Sequence, residues 1–234
     1  MKKWITPLFV LFPVIAFSQD AQEPDSMYVV TECFLNDGYS LQDAITEAGN
    51  NDYDGPESVW CRQPVAVPDT PENQFRRIVN WENMAAWTAA NAADGTSNES
   101  YTCANANRSF ITSRQAGNNT ATFDSGDATL IAVTTCFLKK GVSISSFFDF
   151  IDQNQKAREA TGDTTVALVS HMVMGGNPEL NTAVGVRRIG KTAEDLAESL
   201  DLRWRSDLRA PVYTDTPAES CQNPMLYKTY RVDR

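Results

Sequence analysis

The sequence predicts an α+β fold in which two tandem βαββαβ units bury their open sheets against each other. Three observations predict it: a phrase that occurs twice, the same order of elements around both occurrences, and apolar patterning that alternates between strand and helix periods. The phrase is VTECFLNDGYS at residues 30–40 and VTTCFLKKGVS at 133–143, identical at seven of eleven positions. Arg76-Arg77-Ile78 returns as Arg187-Arg188-Ile189, and Cys103-Ala104-Asn105 as Cys221-Gln222-Asn223. Three matches in the same order indicate a duplicated unit.

Each element follows from local chemistry. Residues 27–35 and 130–138 are rich in Val, Thr, Ile and Phe and stop at a glycine turn, so they read as strands. Ser40 and Ser143 follow those turns, where a hydroxyl can cap a helix by accepting a backbone N–H. The helices are 41–48, with Leu41, Ala44, Ile45 and Ala48 on one face, and 144–158, with Phe147, Phe148 and Ile151. A hairpin comes next in each unit, 58–67 with 74–79 and 165–174 with 182–189, joined by Pro- or Gly-rich turns. Second helices are expected over 81–92 and 193–200, the latter opening on Glu194 and Asp195, the charge a helix N-terminus favours. Strands 109–115 and 225–232 close the units, and the polar stretch 118–127 reads as the linker. The expected domains are therefore a signal segment at 1–18, a first repeat at 19–124 and a second at 125–234.

A βαββαβ unit folds as a ferredoxin-like antiparallel sheet with both helices on one face. Its bare face needs a cover, because large apolar surfaces are rarely left exposed. A second copy in the same chain is the natural cover. In this the chain resembles the dimeric α/β-barrel superfamily, with two ferredoxin-like units fused in tandem and packed sheet to sheet as a pseudo-symmetric α/β barrel. The resemblance lies in element order and repeat and carries no catalytic motif.

The first and fourth strands of a ferredoxin-like sheet are antiparallel neighbours. Cys33 and Cys136 lie late in the first strands, and Cys103 and Cys221 lie just before the fourth. Bridges Cys33–Cys103 and Cys136–Cys221 would thus occupy equivalent places, leaving Cys61 free; the alternative is four buried thiols plus one.

Residues 1–18 place Lys2 and Lys3 ahead of an apolar stretch that ends in Ala16-Phe17-Ser18, the layout of a secretory signal peptide. Pro7 and Pro13 interrupt the stretch, and it is shorter than the ~20 residues of a membrane span. Secretion or a periplasmic location is expected, with no stable membrane insertion. Removing it takes away two lysines and no acidic residue, so the formal charge moves from −10 to −12. That sign repels phosphate, and nucleic acid is not an expected partner. The expected state is a monomer or weak homo-oligomer.

His171 is the only histidine, which excludes His-rich zinc sites and HExxH motifs. GxSxG, GxGxxG, a P-loop and CxxC are all missing, so no catalytic residue, metal or cofactor is expected. The superfamily resemblance implies one alternative, haem held by His171; the simpler reading is a strand histidine bonded to a neighbour. Residues 51–57, acidic and glycine-containing, lack the ligand spacing of a calcium loop. Trp60, Trp81, Trp87 and Trp204 read as core. Asn98, Asn107 and Asn118 are glycosylation sequons, relevant only in a glycosylating host.

The Arg-Arg pairs carry the most chemistry. Strand neighbours point to opposite faces, so one arginine of each pair turns toward the inter-sheet side. Alternation groups Arg76 with Ile78 and Asn80, and Arg187 with Ile189, while Phe75, Val79 and Trp81 suit the helix-covered side. Arg76 and Arg187 are thus candidates for holding an anion, with a salt bridge to Glu32 or Asp149 as the structural alternative. The functional expectation is an exported protein binding a small, partly apolar or anionic molecule between its sheets, with Arg76, Arg187 and His171 as candidate ligand residues. The alternatives are an α/β-barrel enzyme, either a cofactor-poor oxygenase or a haem-dependent one, and a purely structural or interaction protein.

Overall fold

A computed structural model describes residues 26–50, 55–90, 98–120, 128–175, 183–204 and 216–232. The expected signal segment, the acidic loop at 51–54 and most of the expected linker lie outside them. Ten strands and four helices follow in order: β1 (Ser26–Leu35), α1 (Leu41–Asn50), β2 (Ser58–Ala66), β3 (Gln74–Trp81), α2 (Met84–Ala89), β4 (Tyr101–Cys103), β5 (Ser109–Ala116), β6 (Ala128–Leu138), α3 (Ile144–Glu159), β7 (Val166–Gly175), β8 (Ala183–Ile189), α4 (Ala193–Trp204), β9 (Ala218–Cys221) and β10 (Met225–Arg231).

The fold class is corrected by the strand pairing. Two ferredoxin-like sheets stacked face to face, as in the dimeric α/β-barrel superfamily, would leave β5, β7, β2 and β10 as sheet edges. Instead β5 pairs with β7 from Ser109↔Gly175 to Ala116↔Ala167, and β10 pairs with β2 from Leu226↔Ala66 to Arg231↔Trp60. The order β10-β2-β3-β1-β5-β7-β8-β6 closes on itself through β6–β10. The result is one closed, eight-stranded antiparallel β-barrel, with β4 and β9 as short additions on β1 and β6. Closure satisfies every edge strand's backbone groups, which stacking alone would not.

Alternation divides each strand between an inside and an outside. The outside carries the helices. Ala44, Ile45 and Ala48 of α1, with Met84 and Trp87 beside them, pack on Val29, Cys33, Val59, Phe75 and Trp81. Phe147, Phe148 and Ile151 of α3 pack on Ala116, Ala167, Val169, Val184 and Val186. Ser143 accepts from the Ser146 N–H and Ser40 from the Asp43 N–H, as capping predicts. The second helix starts later than its apolar pattern suggests: Trp81 ends β3 as a buried strand residue, and Asn83 caps α2 by accepting from the Ala86 N–H.

Cys33 is bonded to Cys103 and Cys136 to Cys221, each bridge joining directly opposed residues of a strand pair. Cys61 is a free thiol, wholly buried on the helix side, and burial pushes its pKa up to about 12. It is therefore protonated and unreactive at neutral pH. No described helix is long and apolar enough to cross a membrane.

Candidate site: a cationic cavity inside the barrel

A cavity of about 230 Å³ lies among the inward-facing residues. Its walls combine an apolar belt of Trp60, Ile78, Ile131, Leu168 and Ile189 with polar groups at Arg62, Arg187, Asn80 and Thr229. The belt follows from alternation in β2 and β3: Val59, Cys61, Phe75 and Val79 go to the helices, so Ser58, Trp60, Arg62, Ile78 and Asn80 must face inward.

The arginines dominate the electrostatics. Arg62 and Arg76 are directly opposed across β2 and β3, and Arg76 is opposed to Glu32 across β3 and β1. Glu32 lies 3.6 Å from the Arg76 guanidinium, with both side chains substantially exposed, so this pair is weak. The guanidinium carbons of Arg62 and Arg76 lie over the Tyr227 ring, 5.9 and 5.4 Å from its centre, and Arg76 Nη1 donates to the Tyr227 hydroxyl. Arg187 is buried; its Nε and Nη2 both donate to Ser170 Oγ at 2.9 and 2.6 Å, and its guanidinium lies 4.7 Å from the Tyr28 ring centre.

Burial lowers the Arg62 pKa to about 9, assisted by the like charges of Arg187 and Arg76. Burial also lowers that of Arg187, opposed by Tyr28. Arg62 lines the cavity, and its Nε has no hydrogen-bond partner among the described residues. Two more cavity-lining groups share that condition: Asn80 Oδ1 and Thr229 Oγ1. Buried polar atoms are nearly always hydrogen-bonded, so three such atoms on residues that line one cavity set it apart.

Three expectations about site residues meet this geometry differently. Arg187 and Ile189 line the cavity, as do Ile78 and Asn80. Arg76 shares their face but sits one layer further along, engaged with Tyr227 and Glu32. The two arginines are not symmetry mates. Cys33 opposes Phe75 and Cys136 opposes Val184, so the position equivalent to Arg76 is Gly185, and Arg187 stands where the first copy has Ile78. A register offset of two residues keeps Arg187 pointing inward and moves it deeper.

His171 is on the other side of the wall. Val166, Leu168 and Ser170 face inward, so Ala167, Val169 and His171 face outward, where the Thr112 hydroxyl lies 3.1 Å from Nδ1. Burial lowers its pKa, leaving the imidazole neutral at pH 7. An iron held by this ring would lie outside the barrel, away from the arginines. Among the described residues no group of three or more His, Cys, Asp or Glu could hold a metal ion. Sequence reading gives Arg62 and Thr229 no place in the site, and gives Asn80 its inward face but no role. For Arg62 the signal was available, since Ser58, Trp60 and Arg62 alternate with the apolar Val59 and Cys61.

No protein-family model matches the chain, and no curated relative matches it. Solved structures do. A candidate monooxygenase from Lactobacillus acidophilus aligns with a TM-score of 0.51 at 9% identity, covering 89% of this chain and 94% of that one. One from Fusobacterium nucleatum aligns with a TM-score of 0.51 at 9% identity, covering 89% and 95%. An anthrone oxidase-like protein aligns with a TM-score of 0.56 at 11% identity, covering 91% and 95%. At such identities the likeness is one of fold, over nearly the whole length of each chain.

Proposed function

We propose that this protein is an exported small-molecule-binding barrel whose ligand is an organic anion of about one ring, held in the interior cavity. The observation that carries the reading is the charge balance of the cavity: among the described residues that line it, Arg62 and Arg187 have no carboxylate beside them, while Glu32 is paired with Arg76. A buried cation without a counter-charge is costly, and a carboxylate or phenolate bound beside Arg62 and Arg187 relieves that cost. Cavities of about 150 Å³ accept benzene, so about 230 Å³ admits one ring with substituents. The apolar belt supplies the contact for that ring. Export rests on the two disulfides, which suit an oxidising compartment.

Titration calorimetry with benzoate tests the reading. Binding is expected to weaken at least about tenfold in both Arg62→Met and Arg187→Met, since each loses a charge-assisted contact. His171→Ala should bind as the unaltered protein does. Absence of benzoate binding, or binding indifferent to both arginines, rejects the proposal.

A second reading is catalysis on the bound anion. The descriptions of the structural neighbours as monooxygenase and anthrone oxidase-like favour it, together with the pairing of an anion-holding cluster with Trp60 and Tyr28 in one cavity. Oxygen uptake with an electron-rich phenol, no faster than in buffer, would rule that reading out for such substrates.

A further inference from the structure

The cavity distinguishes its two ends. At one, Arg62 and Thr229 are directly opposed across β2 and β10, and each carries a polar atom without a partner among the described residues. At the other, Asn80 is opposed to Ser58 and to Tyr28. Ser58 and Arg62 are four residues apart on β2, a span of about 13 Å at ~3.3 Å per residue. Trp60 and Ile78, themselves directly opposed, fill the layer between. The Trp60 indole N–H donates to Ser58 Oγ at 3.0 Å, which pins that ring in place.

The orientation of the Asn80 amide is determined by its neighbour. Its Nδ2 lies 2.8 Å from Glu57 Oε2, and a carboxylate can only accept, so the amide nitrogen must be on that side. The Glu57 N–H in turn donates to the Asn80 carbonyl, holding the two residues together. Asn80 Oδ1 is then left as a buried acceptor in a cavity-lining residue, with no donor among the described residues. Arg62 Nε is a donor and Asn80 Oδ1 an acceptor, so one end of the cavity asks for an acceptor and the other for a donor.

We infer that the ligand is bipolar, a hydroxyaryl carboxylate or its close analogue, with the anionic group at Arg62 and Thr229 and a hydroxyl donating to Asn80 Oδ1. This deepens the proposed function and rests on it. The ring lies across Trp60 and Ile78. Thr229 donates its hydroxyl to the anion, and the ligand's hydroxyl replaces the missing donor at Asn80. A ligand without that hydroxyl leaves Asn80 Oδ1 unpaired and loses affinity accordingly.

Calorimetry on the full-length protein with 4-hydroxybenzoate, benzoate and 4-methoxybenzoate tests this. The methoxy compound keeps the oxygen and removes the proton. 4-Hydroxybenzoate is expected to bind about tenfold more tightly than either of the others, the equivalent of one hydrogen bond to a buried acceptor. Asn80→Leu should reduce that preference to about one. Equal affinity for all three compounds would overturn the bipolar assignment while leaving the anion site intact. A preference that survives Asn80→Leu would overturn it as well. Failure of every carboxylate to bind would overturn this inference and the proposed function together. The comparison of three ligands on the unaltered protein decides the matter even if the variant does not fold.

Discussion

Arg62 faces Arg76 across a strand pair, and both guanidinium groups lie over the Tyr227 ring. Like charges directly opposed weaken a sheet, and the cation–π contacts offset only part of that. Arg62 is therefore retained at a cost to the unliganded fold. Arg62→Met, similar in volume and without the charge, is expected to stabilise the unliganded protein by about 1–3 kcal/mol, read by urea denaturation, while abolishing benzoate binding. The pH dependence has a definite sign. With a folded pKa near 9, below the ordinary arginine value, the unfolded chain holds the Arg62 proton more tightly than the native one. Arg62's contribution to stability therefore rises with pH above about 9, and the difference between Arg62→Met and the unaltered protein should narrow there. Little of this was legible in the sequence. Arg76 and Arg187 recur in the two copies, but recurrence in sequence does not report register, and the two differ by one inward layer. By register the second-copy counterpart of Arg62 is Ser170, opposite Gly185, so the repeat gave no signal at that position.

Single elements are held by polar contacts that hydrophobic periodicity does not encode. Asp163, just beyond α3, accepts from Arg158 Nε at 2.7 Å and Ser199 Oγ at 3.0 Å through one oxygen, and from the Thr165 N–H and hydroxyl at 2.9 and 2.6 Å through the other. It thereby ties α3, α4 and the start of β7 together. Burial pushes its carboxyl pKa up, but the hydrogen bonds from Thr165 and the charge of Arg158 outweigh this and hold it below the usual range. Asp163→Ala is expected to cost about 3 kcal/mol, because it leaves Arg158 and Thr165 without their acceptor. A depressed carboxylate pKa means stability present above the unfolded value of about 4 and lost as pH falls through the folded one. Acid denaturation of Asp163→Asn should accordingly show a shallower fall below pH 4 than the unaltered protein. The helices that Asp163 joins were readable from apolar spacing. The start of α2 was not, because Trp81 continues an apolar pattern that suits the end of a strand as well as the start of a helix.

The closure of the barrel is a property of neither copy alone. Alternation in β1, β3, β6 and β8 specifies which side chains face inward, and it would do so whether two sheets stacked or their edges joined. The difference lies in backbone groups of β2, β5, β7 and β10, which side-chain patterning does not report. Here the seams at β5–β7 and β2–β10 are long and antiparallel, so each half is completed by the other. A chain of residues 26–120 would present β2 and β5 as open edges, each with unpaired N–H and C=O groups. Its inner face would also expose Trp60, Ile78 and Val30 to water. Such a half-chain, oxidised at Cys33–Cys103, is expected to self-associate, since a second copy offers the same edges in place of β7 and β10. Analytical ultracentrifugation of the half-chain at micromolar concentration should find dimers or larger species. A folded, stable monomer would mean that the seams contribute little and that the cavity does not depend on their closure.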